Sequence, residues 1–68
     1  MNASVFFDAF AECLVGVAFA RKHPAFFDVM KSTTTIRIAL RHGDVAGEAT
    51  GRMFDKLWSE AQGPKERP

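Results

Sequence analysis

The chain has 68 residues and a formal net charge of +1, from nine lysines and arginines against eight aspartates and glutamates. This length allows one domain with a small core that buries only about 60% of the unfolded surface. The single cysteine excludes an intrachain disulfide, and the charge is too evenly spread to indicate a nucleic-acid arm. Seven phenylalanines and one tryptophan exceed what so small a core encloses, which favours self-association.

The first predicted element is a helix over residues 3–22, with Asn2 or Ser4 as its cap. Its apolar residues recur three and four positions apart, the spacing of one helix face. This face contributes four residues to the predicted core or dimer seam: Phe6, Phe10, Cys13 and Val17. Asp8 and Glu12 leave an uncharged run far shorter than the ~20 residues that cross a bilayer, and no basic residue precedes it as in a signal peptide. The sequence therefore predicts a cytoplasmic protein without a membrane segment.

The second predicted element begins after a corner at Pro24, which favours the first turn of a new helix. Read as one helix from Pro24 to Ala61, this stretch carries an unbroken apolar heptad. The heptad extends the predicted core or dimer seam with Phe26, Val29, Ile36, Leu40, Phe54 and Leu57. Two alternatives stay open: a break at Gly43, and weak helix over residues 32–36, where branched side chains lose rotamer freedom.

These elements predict an all-α fold over residues 1–62. The fold is a hairpin of two helices, or a unit of three if the chain breaks near Gly43, and it dimerises into a helical bundle. Residues 63–68 contain two prolines and no apolar residue, so we expect a disordered C-terminal tail.

A ladder of small residues is the most specific pattern in the sequence. Glycine recurs every fourth position over Gly43, Gly47 and Gly51, preceded by Ala39. Three glycines inside a helix lower its stability by roughly 3 kcal/mol relative to alanine. We expect a close helix crossing, in the fold or in its dimer, to offset this loss of stability. Replacement of Gly47 by alanine is expected to be tolerated or slightly stabilising.

No group of residues indicates catalysis or metal binding. The spacings of Cys13, His23 and His42 match no zinc motif. A Cys–His nucleophile needs an orienting third group and an oxyanion site, and the sequence indicates neither. We therefore predict no catalytic residue, no metal and no cofactor.

The predicted function is a small non-enzymatic module that acts as a homodimer and binds an unidentified protein partner, as an inhibitor or adaptor. Met53 and Trp58 flank the seam, and such side chains at the edge of a helical face are good anchors for a partner. Compact helical proteins of this size resemble the small inhibitors and adaptors encoded by phages and mobile elements.

An alternative function comes from a family resemblance. The run from Met30 to Ile38 resembles the opening strand of ribbon-helix-helix repressors, and the run from Ala49 to Arg52 is similar to the turn between their helices. The resemblance implies a dimeric DNA-binding transcriptional repressor whose paired strands read the major groove. By position, Thr35 and Arg37 would then face the DNA. Whether residues 33–40 are helix or strand stays open at this point.

Overall fold

Three helices form the part of the chain that the structure, a computed structural model, describes: residues 1–63. The elements in chain order are α1 (Ala3–Lys22), a 3-10 turn (Pro24–Phe26), α2 (Phe27–His42) and α3 (Asp44–Ala61). The all-α prediction is confirmed, and no strand forms among these residues. Most of the predicted tail lies outside the described residues.

The ends of α1 follow from local chemistry. The side-chain oxygen of Asn2 accepts a hydrogen bond from the N–H of Val5 at 2.9 Å, which satisfies a donor that has no partner inside the helix. The helix stops at Lys22 because Pro24 disfavours helical geometry in the residue before it, and His23 has φ −135° and ψ 73°. Pro24 then opens the 3-10 turn, where a missing N–H costs little.

The chain turns sharply at Gly43, so the interpretation of residues 24–61 as one helix is wrong and the three-helix alternative is correct. Gly43 has φ 98°, in the left-handed region that glycine enters without a steric penalty. Its N–H donates to the carbonyl of Ala39 at 2.8 Å and closes the last turn of α2. Asp44 is the first residue of α3, where its negative carboxylate interacts favourably with the positive N-terminal end of the helix dipole.

No break occurs at the threonine-rich run, which lies inside α2. Tertiary packing outweighs its weak helix propensity, because Thr34 is buried beside Ile38. In α3, Thr50 is fully buried, and its hydroxyl donates to the carbonyl of Ala46 at 2.7 Å. The buried threonine hydroxyl therefore has a hydrogen-bond partner inside its own helix.

α2 and α3 lie antiparallel and approach each other through small side chains. A Cβ atom built on Gly47 lies 2.8 Å from the Cβ of Ala39, and one built on Gly51 lies 3.6 Å from the Oγ1 of Thr35. Two of the ladder glycines thus face α2, while Gly43 forms the turn. This close contact offsets the poor helix propensity of glycine inside α3.

α1 covers the α2–α3 hairpin and completes the core. Phe54 is fully buried and its ring lies over Gly16, where an added Cβ would come within 2.7 Å of the ring. Phe27 packs edge-on against Phe54, with ring centroids 5.6 Å apart. Around this pair lie Cys13, Val17, Met30, Met53, Leu57, Trp58 and Ala61. A smaller cluster at the other end joins Ala9, Ile38 and Ala46 to Val5 and Met53.

The predicted seam divides between core and surface. Cys13, Val17 and Phe54 are buried, and Phe10 and Leu57 are half-buried. The other five members, Phe6, Phe26, Val29, Ile36 and Leu40, are exposed. As core residues of a single chain these five are wrong. For Val29, Ile36 and Leu40 the reason is that close contact between α2 and α3 requires small side chains, so α2 turns these large ones outward. Their role in a dimer stays a prediction.

Candidate interaction surface

Large apolar side chains cover much of the outer surface of α1 and α2. Eight of them are exposed on these two helices: Phe6, Phe7, Leu14, Val15 and Phe19 on α1, and Val29, Ile36 and Leu40 on α2. Met1, Phe26 of the 3-10 turn and Val45 at the start of α3 are exposed as well. The outer surface of α3 instead carries charge at Glu48, Arg52 and Lys56. The molecule thus has a charged side and an extensive apolar side, and the apolar side is the candidate functional surface.

The first part of this surface is the α2 seam, which we define as Phe26, Val29, Thr33, Ile36 and Leu40. Leu40 is 83% exposed and Ile36 53% exposed. The residues follow the alternating three-and-four spacing that keeps side chains in line along a helix. Val29, Ile36 and Leu40 are exposed on the side of α2 opposite the buried Thr34 and Ile38. Thr33 is half-buried, and Phe26, in the 3-10 turn before α2, packs on Phe19 of α1 with ring centroids 5.9 Å apart.

The second part is the α1 outer face, formed by Phe7, Ala11, Leu14, Val15 and Ala18. All five are exposed, and none is charged. α1 is long and apolar enough to cross a membrane, with a mean hydropathy of 1.7 in its most apolar 18-residue window. Core helices of soluble proteins and signal sequences share this property, so the predicted cytoplasmic location stays a prediction.

A groove runs between α1 and α3 beside this outer face, with a volume of about 360 Å³. Its lining is mostly apolar, with one basic and one acidic residue: Leu14, Val17, Ala18, Arg21, Leu57, Glu60 and Ala61. A neighbouring groove at the same end of the bundle is lined by Arg21, Pro24, Trp58, Ala61 and Gln62. Together they form a partly apolar end surface.

The two predicted anchors both contribute to the core. Trp58 is half-buried and its indole packs on Phe27, with ring centroids 4.8 Å apart. Met53 is half-buried and contacts both core clusters. Trp58 also lines the neighbouring groove and so borders the end surface, whereas the contacts described for Met53 are with the two core clusters.

An ion-pair network joins α1 to α2 between the two apolar areas. The Nη1 of Arg41 lies 2.8 Å from both carboxylate oxygens of Asp8, and its Nη2 lies 2.8 Å from Glu12. Arg37 reaches Glu12 at 3.4 Å, and the Nε2 of His42 lies 2.8 Å from Asp8. The sequence does not indicate this network, because the acids lie on α1 and the bases on α2. On its own helix, each set has the pattern of an ordinary solvent-exposed face.

Hydrogen bonds within this network shift the pKa of both acids. Hydrogen bonds from His42 and then Arg41 lower the pKa of Asp8, and a hydrogen bond from Arg41 lowers the pKa of Glu12. The same pairing raises the pKa of Arg41, mainly through Glu12. The network therefore favours charged carboxylates in the folded chain more strongly than in the unfolded chain.

We expect the fold to lose stability as the pH falls below about 4. A carboxyl whose pKa is lowered by folding stabilises the fold above its unfolded pKa, about 3.9 for Asp and 4.3 for Glu, and this contribution disappears as the pH falls through the folded value. Thermal melts between about pH 7 and pH 2 measure the loss. The variant Asp8→Asn/Glu12→Gln should melt earlier at neutral pH and depend less on acid, whereas parallel curves for parent and variant would contradict a stabilising network.

The strand that the repressor resemblance requires is a helix in this structure. Residues 30–38 lie within α2, so they cannot form the ribbon that pairs across such a dimer. Thr35 faces Gly51 on α3 rather than solvent, and Arg37 is paired with Glu12. Thr35 and Arg37 therefore do not lie side by side on an exposed strand, as the DNA-contacting residues of that family do.

Cys13 belongs to the packing rather than to a reactive site. Its side chain is fully buried, and its thiol is 3.7 Å from the carbonyl oxygen of Thr50. Burial, and secondarily the charge of Glu12, raises the pKa of the thiol to about 11, so the thiol stays protonated at neutral pH. Within residues 1–63 no three His, Cys, Asp or Glu side chains are grouped as metal ligands.

Comparisons of the chain with protein-family models, with curated proteins and with solved structures gave no match. The function is therefore inferred from the exposed surface described above.

Proposed function

We propose that this chain is a small non-enzymatic helical protein that self-associates and binds another protein, as a regulatory inhibitor or adaptor. The observation that supports the proposal is the extent of exposed apolar surface on α1 and α2. Soluble monomers seldom expose large contiguous apolar patches, and such patches mark interaction sites. The charged outer surface of α3 supplies a side that remains in contact with water.

The two apolar areas support two different contacts. In a unit of three mutually packed helices, the outer surfaces of α1 and α2 point in different directions. A second copy that covers one of them leaves the other free. The α1 outer face, which continues into the groove beside Leu14, suits a partner that contributes an apolar helix.

Self-association should be visible in the thermal stability. If the folded chain is an obligate dimer, its melting temperature rises with protein concentration, because association stabilises only the folded state. Melts over a hundredfold range of concentration, together with sedimentation equilibrium, test this expectation. A monomer mass at micromolar concentration, with a constant melting temperature, would show that the chain does not self-associate.

Partner binding should depend on the α1 outer face. Leu14→Asp places a charge in this face, and we expect it to weaken binding of a captured partner by about 2 kcal/mol or more, as for an interface anchor. Affinity capture from the source cell identifies the partner, and titration of the purified pair measures the change. The control is Arg52→Asp, a charge change on the outer surface of α3. Equal affinities for parent and Leu14→Asp would contradict a partner site on α1.

Two further measurements distinguish other occupants of the same surface. Trp58→Phe keeps an aromatic ring at the position that packs on Phe27 but shortens the side chain that lines the neighbouring groove, so a loss of partner binding with retained stability assigns Trp58 to the contact. Cosedimentation with phospholipid vesicles tests a membrane surface. Vesicle binding that Leu14→Asp removes would replace the protein partner by a lipid surface.

A further inference from the structure

We propose that the groove between α1 and α3 binds a fatty acid, whose hydrocarbon chain lies along the apolar walls and whose carboxylate pairs with Arg21. A small-molecule site of this kind goes beyond the proposed protein binding. It requires neither self-association nor a protein partner.

The walls of the groove suit an apolar chain. Its volume of about 360 Å³ falls within the roughly 300–1,000 Å³ of small-ligand clefts. On α1 the lining positions run from Leu14 to Arg21, which is about 10 Å along the helix at 1.5 Å per residue. The lining residues other than Arg21 and Glu60 are apolar, so a polar group placed among them would lose its hydrogen bonds to water. The body of the ligand should therefore be elongated and apolar.

Arg21 supplies a cation at one end of these walls. It lies in the last turn of α1 and lines the groove between α1 and α3, the neighbouring groove beside Trp58, and a third groove formed with Ala18 and Lys22. A guanidinium binds a carboxylate through two parallel hydrogen bonds, which fixes both the position and the orientation of the anion.

The charge of Arg21 has no counter-charge within residues 1–63. In this part of the chain, ion pairs to carboxylates engage five other basic side chains: Lys31, Arg37, Arg41, His42 and Lys56. No such pair includes Arg21 or Lys22 there. The acid that lines the groove, Glu60, lies 3.4 Å from the Nζ of Lys56. The end of the groove therefore has an excess of positive charge, which a single anionic group complements.

The combination of one cation with apolar walls restricts the class of ligand. A neutral hydrocarbon would leave the guanidinium of Arg21 unpaired. An anion with several charges, such as a nucleotide, would place charge against apolar walls, where it is poorly solvated. One carboxylate at the end of a hydrocarbon chain satisfies both parts of the groove.

Titration with decanoate below its critical micelle concentration tests the site. Trp58 is the one tryptophan of the chain and lines the neighbouring groove, so its fluorescence reports binding, and calorimetry gives the dissociation constant. The matched control ligand is decyltrimethylammonium, which has the same chain length and the opposite charge. We expect it to bind about tenfold more weakly or worse. Equal affinities, or no binding of decanoate, would overturn the proposed site.

Charge substitutions test the pairing with Arg21. Arg21→Gln should raise the dissociation constant of decanoate about tenfold or more, as for loss of a hydrogen bond to a charged group. The matched control is Lys22→Gln, which removes the same charge from the same helix turn but from a residue that does not line the groove between α1 and α3. It should change the constant by less than about fivefold. Equal effects of the two variants would contradict a specific pair with Arg21.

Glu60→Gln provides a test with the opposite sign. Removal of a negative charge from the groove should tighten decanoate binding, because like charges repel. Circular dichroism checks that each variant remains helical. Weaker decanoate binding by a helical Glu60→Gln chain would contradict a carboxylate at this end of the groove.

Vesicles distinguish a free fatty acid from the headgroup of a membrane lipid. The chain is cosedimented with phosphatidylcholine vesicles that contain or lack phosphatidylglycerol. Decanoate binding without cosedimentation supports the free acid. Cosedimentation that requires phosphatidylglycerol and is lost in Arg21→Gln, without decanoate binding, would replace the fatty acid by an anionic lipid surface.

The result is distinguishable from failure of the proposed function. Phe7, Ala11 and Val15 of the α1 outer face do not line the groove and remain exposed to a protein partner. A monomeric chain that captures no protein yet binds decanoate through Arg21 would refute the proposed function and support the fatty-acid site. A dimer with a partner but without decanoate binding would do the reverse.

Discussion

Replacing Phe54 with alanine is expected to unfold most of the chain. Phe54 is the largest fully buried side chain, and it joins all three helices: it lies on α3, its ring covers Gly16 of α1, and Phe27 of α2 packs on its edge. Truncation of a buried phenylalanine to alanine costs about 3–5 kcal/mol. A domain of this size lies near the low end of the 5–15 kcal/mol range of folding stability, so the loss approaches the whole of it.

Urea denaturation followed by circular dichroism measures this effect. Phe7→Ala is the matched control, because it removes the same atoms from a side chain that is 66% exposed and lies outside the α2 seam. We expect Phe7→Ala to change stability by less than about 1 kcal/mol, as for a surface substitution. Similar urea midpoints for the two variants would mean that Phe54 does not occupy the centre of the core.

The positions of the helices could be predicted where a residue has a local conformational effect. Pro24 marks the end of α1 through its effect on the residue before it. Gly43 marks the break between α2 and α3 as an alternative, but the sequence did not decide between a turn and an interior glycine. That choice depends on two free energies: the one gained when α3 folds back and packs on α2, and the one gained from the extra backbone hydrogen bonds of a continuous helix. The first depends on tertiary contacts, which the local sequence does not show.

The buried side of α2 could not be predicted from apolar periodicity. The heptad selects Val29, Ile36 and Leu40 because they are large and apolar, yet the helix buries Thr34 and Ile38 instead. Large side chains separate helix axes, whereas the α2–α3 contact depends on close backbone approach. The glycine ladder carried the correct signal for this contact, and the heptad described the side of α2 on which Val29, Ile36 and Leu40 are exposed.

Two features of α1 were also missed, each for a physical reason. The sequence gives no signal for the role of Gly16, because a single glycine in an apolar helix has no pattern around it that indicates a ring packed above it. The sequence analysis uses Asp8 and Glu12 only as interruptions of an apolar run, whereas in the structure they pair with Arg41 of α2. Pairing between helices depends on their relative rotation, which a linear sequence does not contain.

Alanine substitutions at three glycines are expected to differ in sign, although alanine is the better helix former at each by about 1 kcal/mol. A Cβ at Gly47 would lie 2.8 Å from the Cβ of Ala39, and one at Gly16 would lie 2.7 Å from the ring of Phe54. Neither neighbour is the free end of a flexible side chain. Overpacking of this kind costs roughly 1–3 kcal/mol, so both variants should be less stable than the parent or at best equal to it. For Gly47 this replaces the sequence-based expectation that alanine is tolerated.

Gly51→Ala is the matched control, because it lies on the same helix face as Gly47 and has room for the added atom. Its Cβ would meet Thr35 at 3.6 Å and Lys31 at 3.9 Å, which are ordinary contacts. We therefore expect Gly51→Ala to raise the free energy of unfolding by up to about 1 kcal/mol, measured by urea denaturation beside Gly16→Ala and Gly47→Ala. If Gly47→Ala proves as stable as Gly51→Ala, α2 and α3 are not held at the close distance that their small residues allow, and the contact that turns the α2 seam outward is looser than the structure shows.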